Sequence, residues 1–128
     1  MKLSHHLRRS AGSRAEKLAA RYLSARGLRT LTLNYHCRQG EIDLIAKDGE
    51  FLVFVEVRMR HSDRHGTAVE TVTRSKQMRI IHCARHYLMN SPQFSDTPCR
   101  FDVVGVVPAD NWCGYRFHWL KDAFQFPG

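Results

Sequence analysis

No stretch of eighteen consecutive apolar residues occurs in the 128-residue chain, so no membrane-spanning helix is expected. The N-terminus carries charge but no apolar core segment, and no secretory signal is expected. The four cysteines, Cys37, Cys83, Cys99 and Cys113, form no Cys-x-x-Cys pair and show no zinc-ligand spacing. They are read as reduced thiols of a cytoplasmic protein. Eight histidines are present, but the best-spaced pair, His82 and His86 at i and i+4 of a helix, has no third ligand; surface or half-buried histidines are the simpler reading. Repeats, linkers and low-complexity segments are missing, as is any amphipathic segment with a strong apolar face, which argues against a membrane-surface partner. Acidic residues are scarce at one end only. Residues 1–40 hold Glu16 against nine Lys/Arg (Lys2, Arg8, Arg9, Arg14, Lys17, Arg21, Arg26, Arg29, Arg38), whereas the remaining eighty-eight balance eleven against eleven. The whole net charge of +8 therefore sits in the first third, the footprint of a polyanion binder. Arg8, Arg9 and Arg14 are the candidate nucleic-acid contacts, although a merely soluble basic surface would carry the same charges.

What is present is concentrated in residues 40–58, GEIDLIAKDGEFLVFVEVR. Asp48-Gly49 between two apolar runs is a strong hairpin signal, because a type I′ turn needs φ > 0 at both central residues. With those residues central, Ile45 faces Leu52, Asp43 faces Phe54 and Glu41 faces Glu56. Side chains alternate with period two, so Asp43, Glu56 and Arg58 share one face. Ile42, Leu44, Ala46, Val53, Val55 and Val57 form the other, wholly apolar face. A hairpin covered on both sides that gathers Glu41, Asp43 and Glu56 at one end looks like a site.

Diagonal carboxylates on neighbouring strands lie roughly 5–8 Å apart at Cβ. Such charges either raise a pKa or are neutralised by a divalent cation. Mg²⁺ or Mn²⁺, which takes oxygen ligands and retains waters, suits Asp43 and Glu56 together with a substrate phosphate. The ion would polarise the phosphoryl oxygen and activate a water, while Arg58 would stabilise developing charge. The alternative is a carboxylate–arginine network that merely closes the end of a sheet.

Asp43 followed by Glu56-Val57-Arg58 on the next strand resembles the PD-(D/E)xK nuclease core. More closely, Gly40–Ala46 with Val53–Arg58 resembles the YraN family of small bacterial proteins, related in fold to archaeal Holliday junction resolvases. The likeness extends to Glu16-Lys17-Leu18-Ala19, Lys76-Gln77 and Arg100–Val104, and spans about Gly12 to Phe124. It implies a restriction-endonuclease-like α/β fold, a mixed β-sheet flanked by helices in the order α-β-β-β-α-β-β. It also implies a nucleic-acid partner, expected to be DNA of branched or non-B structure, and Mg²⁺- or Mn²⁺-dependent phosphodiester hydrolysis. Glu16, Asp43, Glu56 and Arg58 would be the catalytic set, with no small-molecule cofactor. The chain departs from the pattern in having Arg58 where the motif has lysine; an arginine can fork onto phosphate but cannot act as a base. A non-catalytic nucleic-acid-binding or scaffold protein on the same fold is therefore the second reading. A third is a protein-interaction module with metal-free structural carboxylates. Resolving a junction would require two sites, hence a symmetric homodimer.

The other elements follow from periodicity. Residues about 12–26 read as a helix with an Ala15/Leu18/Ala19/Tyr22/Leu23 stripe and Gly27 as its C-cap. Glu16 flanks that stripe, either as an extra metal ligand or as an ordinary solvated glutamate. Residues 28–35 alternate as a strand, and 61–66 form a polar loop expected to be mobile. Thr73 caps a helix of about 74–90 with Met78, Ile81, Ala84, Tyr87 and Leu88 inward. A turn with Pro92 and Pro98 leads to strands at 100–107 and about 115–120. Lys76, in the first turn of the second helix, either contacts phosphate, stands in for the motif lysine, or is simply solvated. Arg100 and Asp102 alternate on one face, as an ion pair or as support for the site. The organisation expected is a basic arm (1–11), one nuclease-like domain (12–124) and a short tail (125–128).

Overall fold

A computed structural model describes residues 14–61 and 68–127. Helix α1 covers 14–24. Its end is set by Gly27 at φ +99, with Leu28 N–H donating to Leu23 O at 3.1 Å and Gly27 N–H to Ser24 O at 3.1 Å. These two bonds form a Schellman cap in which Leu23 and Leu28 also pack together in the core. Five strands follow: β1 (Arg29–Cys37), β2 (Gly40–Asp48), β3 (Phe51–Met59), then, after helix α2 (Arg74–Met89), β4 (Cys99–Pro108) and β5 (Tyr115–Phe124). They form one mixed sheet in the order β1-β2-β3-β4-β5, antiparallel except for the parallel β3–β4 pair that α2 bridges. This is the expected α-β-β-β-α-β-β arrangement.

Both faces are covered. Ala19 and Leu23 of α1 pack with Leu44, Ala46, Val53, Val55, Val104 and Val106. Ile80, Ile81 and Ala84 of α2 pack with Ile45, Leu52, Phe54, Phe101 and Val103. Double coverage explains why Leu52–Glu56 is buried without interruption rather than alternating. Thr73 caps α2 as expected, its side chain accepting from Lys76 N–H at 3.2 Å.

Two expectations are corrected. The hairpin register is displaced by two residues: Lys47 pairs with Leu52 and Asp48 with Phe51, so Gly49-Glu50 make the turn. Gly49 has φ +59 and Glu50 has no positive φ. One left-handed residue, glycine in first position, suffices for a II′-type turn, so Asp48 stays in the ladder. A shift of two preserves the face of the paired residues but changes their partners: Phe54 lies opposite Ile45, not Asp43, whereas Ile42, expected beside Leu44 and Ala46, packs with Ile45 and Phe54 in the core under α2. Secondly, Cys37 and Cys83 are joined in a disulfide with Cα atoms 5.6 Å apart, tying the end of β1 to α2, while Cys99 and Cys113 are free thiols. Residues 46 apart in sequence become neighbours through α2 packing on the sheet, which spacing rules for zinc or redox motifs do not register. Among the described residues, no helix is long and apolar enough to cross a membrane.

Candidate functional site

The regular β2–β3 ladder runs from Asp48↔Phe51 up to Leu44↔Val55. At the next position the Asp43 side chain takes over: its Oδ2 accepts the Val57 N–H at 2.8 Å. The strands part here because a carboxylate occupies the place of a carbonyl. On the other side of β2, Asn34 has φ +54 and stands between the Leu33↔Leu44 and Tyr35↔Ile42 pairs without shifting the register, whose one irregularity lies between Thr30 and Thr32. Asparagine tolerates this conformation better than most residues.

Into this opening come carboxylates from both layers. Glu56, 3% exposed, lies on the sheet face that α2 covers, and Glu16, 5% exposed, descends from α1. The Glu16 carboxyl is pushed up to about 7, by burial first and then by the charges of Glu41 and Glu56, although hydrogen bonds with Asn34 and Asp43 pull the other way. Asp43 is raised as well, chiefly by burial and then by the Glu56 charge beside it and a hydrogen bond with Glu56; the Val57 N–H opposes the shift. Glu16 is thus an inward, clustered acid rather than a solvated one. Glu41, expected opposite Glu56, is instead exposed and 3.5 Å from His36 Nδ1; the register shift takes it from Glu56, but its charge still acts on Glu16 from the rim.

Two cations complete the group. Arg58 Nη1 lies 3.4 Å from Glu56 Oε2, and its Nε donates to Thr71 Oγ1 at 3.0 Å. Lys76 Nζ lies 3.2 Å from the same Glu56 oxygen. The α2 N-terminus thus brings an amine to the acid, a placement that helical spacing alone does not reveal. Thr71 went unnoticed in the sequence, since a lone threonine after a polar loop carries no pattern. It sits in a 3-10 turn, Ala68–Thr71, which lies against β4 at Gly105, where an added Cβ would come within 2.8 Å of Ala68 Cβ. Gly105 pairs with Arg58, so the absence of a side chain on β4 lets the turn approach and hold the guanidinium.

Whether a divalent ion fits is tested by Glu16 Oε2, which is buried and has no hydrogen-bond partner. An orphaned buried acceptor costs about 1–3 kcal/mol, and a cation beside it would relieve both that and the acid–acid repulsion. The donors are all carboxylate oxygens, the set Mg²⁺ or Mn²⁺ accepts. Among the described residues no three His, Cys, Asp or Glu side chains already converge as a full ligand set. An ion here would rest on one or two carboxylates and retain waters, as Mg²⁺ does.

The remaining candidates are distributed as follows. Arg8, Arg9 and the polar loop from residue 62 to 67 lie outside the described residues. Arg14 is exposed at the start of α1, and with exposed Lys17 and Arg21 it makes the helix face opposite Glu16 basic. His82 is exposed, and His86 is engaged with the Tyr35 hydroxyl and Asn90. Arg100 and Asp102 form a structural ion pair: Arg100 Nε and Nη2 donate to Asp102 at 2.9 and 3.0 Å, and Nη2 also reaches Asp48 Oδ2 at 2.9 Å.

Comparison with known proteins agrees with this architecture in extent. The model of a family described as "Uncharacterised protein family UPF0102" matches residues 15–106, which includes Glu16, the whole hairpin, α2 and most of β4. A UPF0102 protein of Nitrosococcus oceani is 51% identical over 120 residues, covering 91% of this chain and 93% of its own. Those of Alcanivorax borkumensis and Saccharophagus degradans are 44% and 45% identical, covering 91% and 88% of this chain and 93% and 91% of theirs. The chain belongs to the UPF0102 family, which the YraN resemblance fits.

Proposed function

We propose that the protein binds nucleic acid, DNA of branched or structured form, and hydrolyses its phosphodiester backbone with a divalent metal ion. The observation that carries this reading is half-buried Asp43 beside buried Glu56, with buried Glu16 close enough to act on it, and with Arg58 and Lys76 against Glu56. Asp43 and Glu56 would hold Mg²⁺ or Mn²⁺ with help from Glu16, and the bound ion would supply phosphoryl polarisation and an activated water. Arg58, steadied by Thr71, donates to a non-bridging phosphate oxygen and offsets negative charge as the phosphorane forms. It cannot serve as a base, because a guanidinium does not release its proton. Lys76 supplies the amine that the motif position lacks, and an ammonium, unlike a guanidinium, is chemically able to exchange a proton. The exposed basic face of α1, with Arg14, Lys17 and Arg21, would draw the polyanion in by its charge. Arg8 and Arg9 would extend the same contact.

One observation favours a non-catalytic binding module: Arg58 and Lys76 already balance Glu56 without any metal. Cleavage assays on branched, single-stranded and duplex DNA with Mg²⁺ or Mn²⁺ separate the two. The nuclease reading expects weak cleavage, stronger with Mn²⁺, abolished by Asp43→Asn and by Arg58→Ala, and maintained or raised by Arg58→Lys. Tight binding of branched DNA with no cleavage by either the wild type or Arg58→Lys would leave the binding module standing. A symmetric dimer is expected if the substrate is a four-way junction cut on two strands.

A further inference from the structure

The β4–β5 connection ends in a side chain with no structural task. Trp112 is 98% exposed, the most exposed large apolar residue among those described. Its backbone is firmly held. Ala109 N–H donates to Gly114 O at 2.9 Å, Gly114 N–H to Asn111 Oδ1 at 2.7 Å, and Asn111 Nδ2 to Tyr115 O at 2.9 Å, with Gly114 at φ +83 closing the turn. A fixed turn that presents a whole indole to water is a projecting flat surface, not a frayed loop. The residues that lead into it, Asp110 and Asn111, are polar and both exposed. Protein and membrane docking surfaces want contiguous apolar area, whereas a nucleobase wants one aromatic plane. The neighbouring Asp110 disfavours a phosphate contact at the tip, which again leaves the base face as the partner.

The placement relative to the acidic cluster follows from register. β4 runs parallel to β3, Glu56 pairs with Val103, and the hairpin continues past Val106, which pairs with Met59. The tip therefore projects from the same end of the sheet as Glu56 and Arg58. At about 3.3 Å per residue along the strand it lies roughly 20 Å beyond Glu56, within the reach of a short unpaired strand. Arg60 and Arg116 lie along that path, Arg60 N–H bonding Val106 O at 2.8 Å and Arg116 pairing with Val107.

We propose that Trp112 is a base-stacking residue that receives an unpaired nucleobase of a branched or single-stranded nucleic acid, roughly 20 Å from the acidic cluster. The inference rests on the nucleic-acid reading above and specifies how a substrate with unpaired bases is told from plain duplex. Duplex bases offer no free face, so the indole gains nothing from them.

The test uses the full chain with Trp112→Ala and Trp112→Phe, titrated into fluorescently labelled single-stranded DNA, a three-way junction with unpaired bases, and a fully paired duplex at one salt concentration. The side chain is exposed, so both variants should melt as the wild type does. Trp112→Ala should weaken single-strand and junction binding roughly tenfold, the usual scale for one stacked base. It should change duplex binding less than twofold, and Trp112→Phe should keep most of the affinity. Tryptophan emission, taken as wild type minus Trp112→Ala, should be quenched by the single strand and not by the duplex. Equal loss on all three DNAs, or no loss on any, overturns the stacking role while leaving nucleic-acid binding intact. A Trp112 emission shift with anionic phosphatidylglycerol vesicles but not with DNA would assign the indole to a membrane instead. Failure of the wild type to bind any of the DNAs overturns the functional reading itself, and with it this inference.

Discussion

Asp102 and Asp43 are both strand carboxylates in a sheet covered on both faces, close in register and opposite in treatment. Asp102 is fully buried and is met by four donors: Arg100 Nε and Nη2, Trp119 Nε1 at 2.9 Å and Asp122 N–H at 2.9 Å. Asp43 is met by one backbone N–H and by two other acids. One carboxylate is thus spent on joining β4 to β5, while the other is held among like charges beside an unpartnered Glu16 oxygen. Buried acids with complete donor shells are structural, and buried acids left short of donors are held in readiness for a ligand. Stability measurements on the two groups should therefore move in opposite directions.

The largest effect is expected at the satisfied group. Asp102→Ala leaves Arg100 Nε, the Trp119 indole N–H and the Asp122 N–H without their acceptor, while Arg100 Nη2 keeps Asp48 Oδ2. Removing one partner of a buried pair costs about 3–5 kcal/mol, which urea denaturation should register as a lower midpoint at unchanged slope. If Asp102→Ala were as stable as wild type, the contrast between the groups would collapse.

Next in size is the pH response of the other group. Glu16 has a folded value of about 7 against 4.5 for the free side chain. The native state therefore binds its proton more tightly than the unfolded state, and the Glu16 contribution to stability is lost as pH rises from 4.5 to about 7, beyond which the decline continues only through Asp43, raised to about 9. At 1.36 kcal/mol per unit the loss is about 3 kcal/mol as an upper bound. Glu16→Gln should flatten this part of the stability–pH curve. Mn²⁺, by favouring the ionised form, should flatten it in the wild type too. A wild-type curve already flat between pH 4.5 and 7 would contradict the burial of Glu16.

These expectations depend on features that were unequally legible in the sequence. Element order and the caps at Gly27 and Thr73 follow from period and from backbone preference, both local properties. The site was legible as to Asp43, Glu56 and Arg58, because a shift of two residues leaves side chains on the same face. It was not legible as to partner: which of Asp48-Gly49 or Gly49-Glu50 turns depends on a single φ, and that moved Glu41 out and set Asp43 level with Glu56. Lys76 and Glu16 join the cluster through the packing of helices on opposite faces, which no local pattern encodes. The same is true of Cys37 and Cys83, which only the seating of α2 on the sheet makes neighbours.

A smaller effect is expected from Asp43→Asn. The amide oxygen can still accept the Val57 N–H, while the cost of burying an ionisable acid, which pushes Asp43 up to about 9, disappears. The metal-free variant should match wild type or exceed it by about 1 kcal/mol near pH 8. Calorimetric titration with Mn²⁺ should show binding to wild type and none to the variant, and Mn²⁺ should raise the melting temperature of the former only. Equal Mn²⁺ affinity in both would remove Asp43 from the ligand set.

The smallest stability change, and the finest test of the contrast, is at Gly105. Its φ is not left-handed, so alanine is permitted by the backbone, but the new methyl would meet Ala68 Cβ at 2.8 Å. Both atoms belong to short side chains that cannot rotate away, so the 3-10 turn must lift. Overpacking of this kind costs about 1 kcal/mol when a surface segment can shift. The turn carries Thr71, whose hydroxyl accepts from Arg58 Nε and donates to Ala68 O. Lifting it should free the guanidinium while leaving the four donors around Asp102 in place. Gly105→Ala is therefore expected to lose phosphate-dependent function well out of proportion to its stability, with Mn²⁺ affinity unchanged because Asp43 and Glu56 do not move. Thr71→Val, which removes the hydroxyl without steric pressure, should reproduce the functional loss. If Gly105→Ala lowers stability but Thr71→Val leaves DNA binding and cleavage untouched, the Thr71–Arg58 contact is packing alone, and Arg58 is positioned by Glu56.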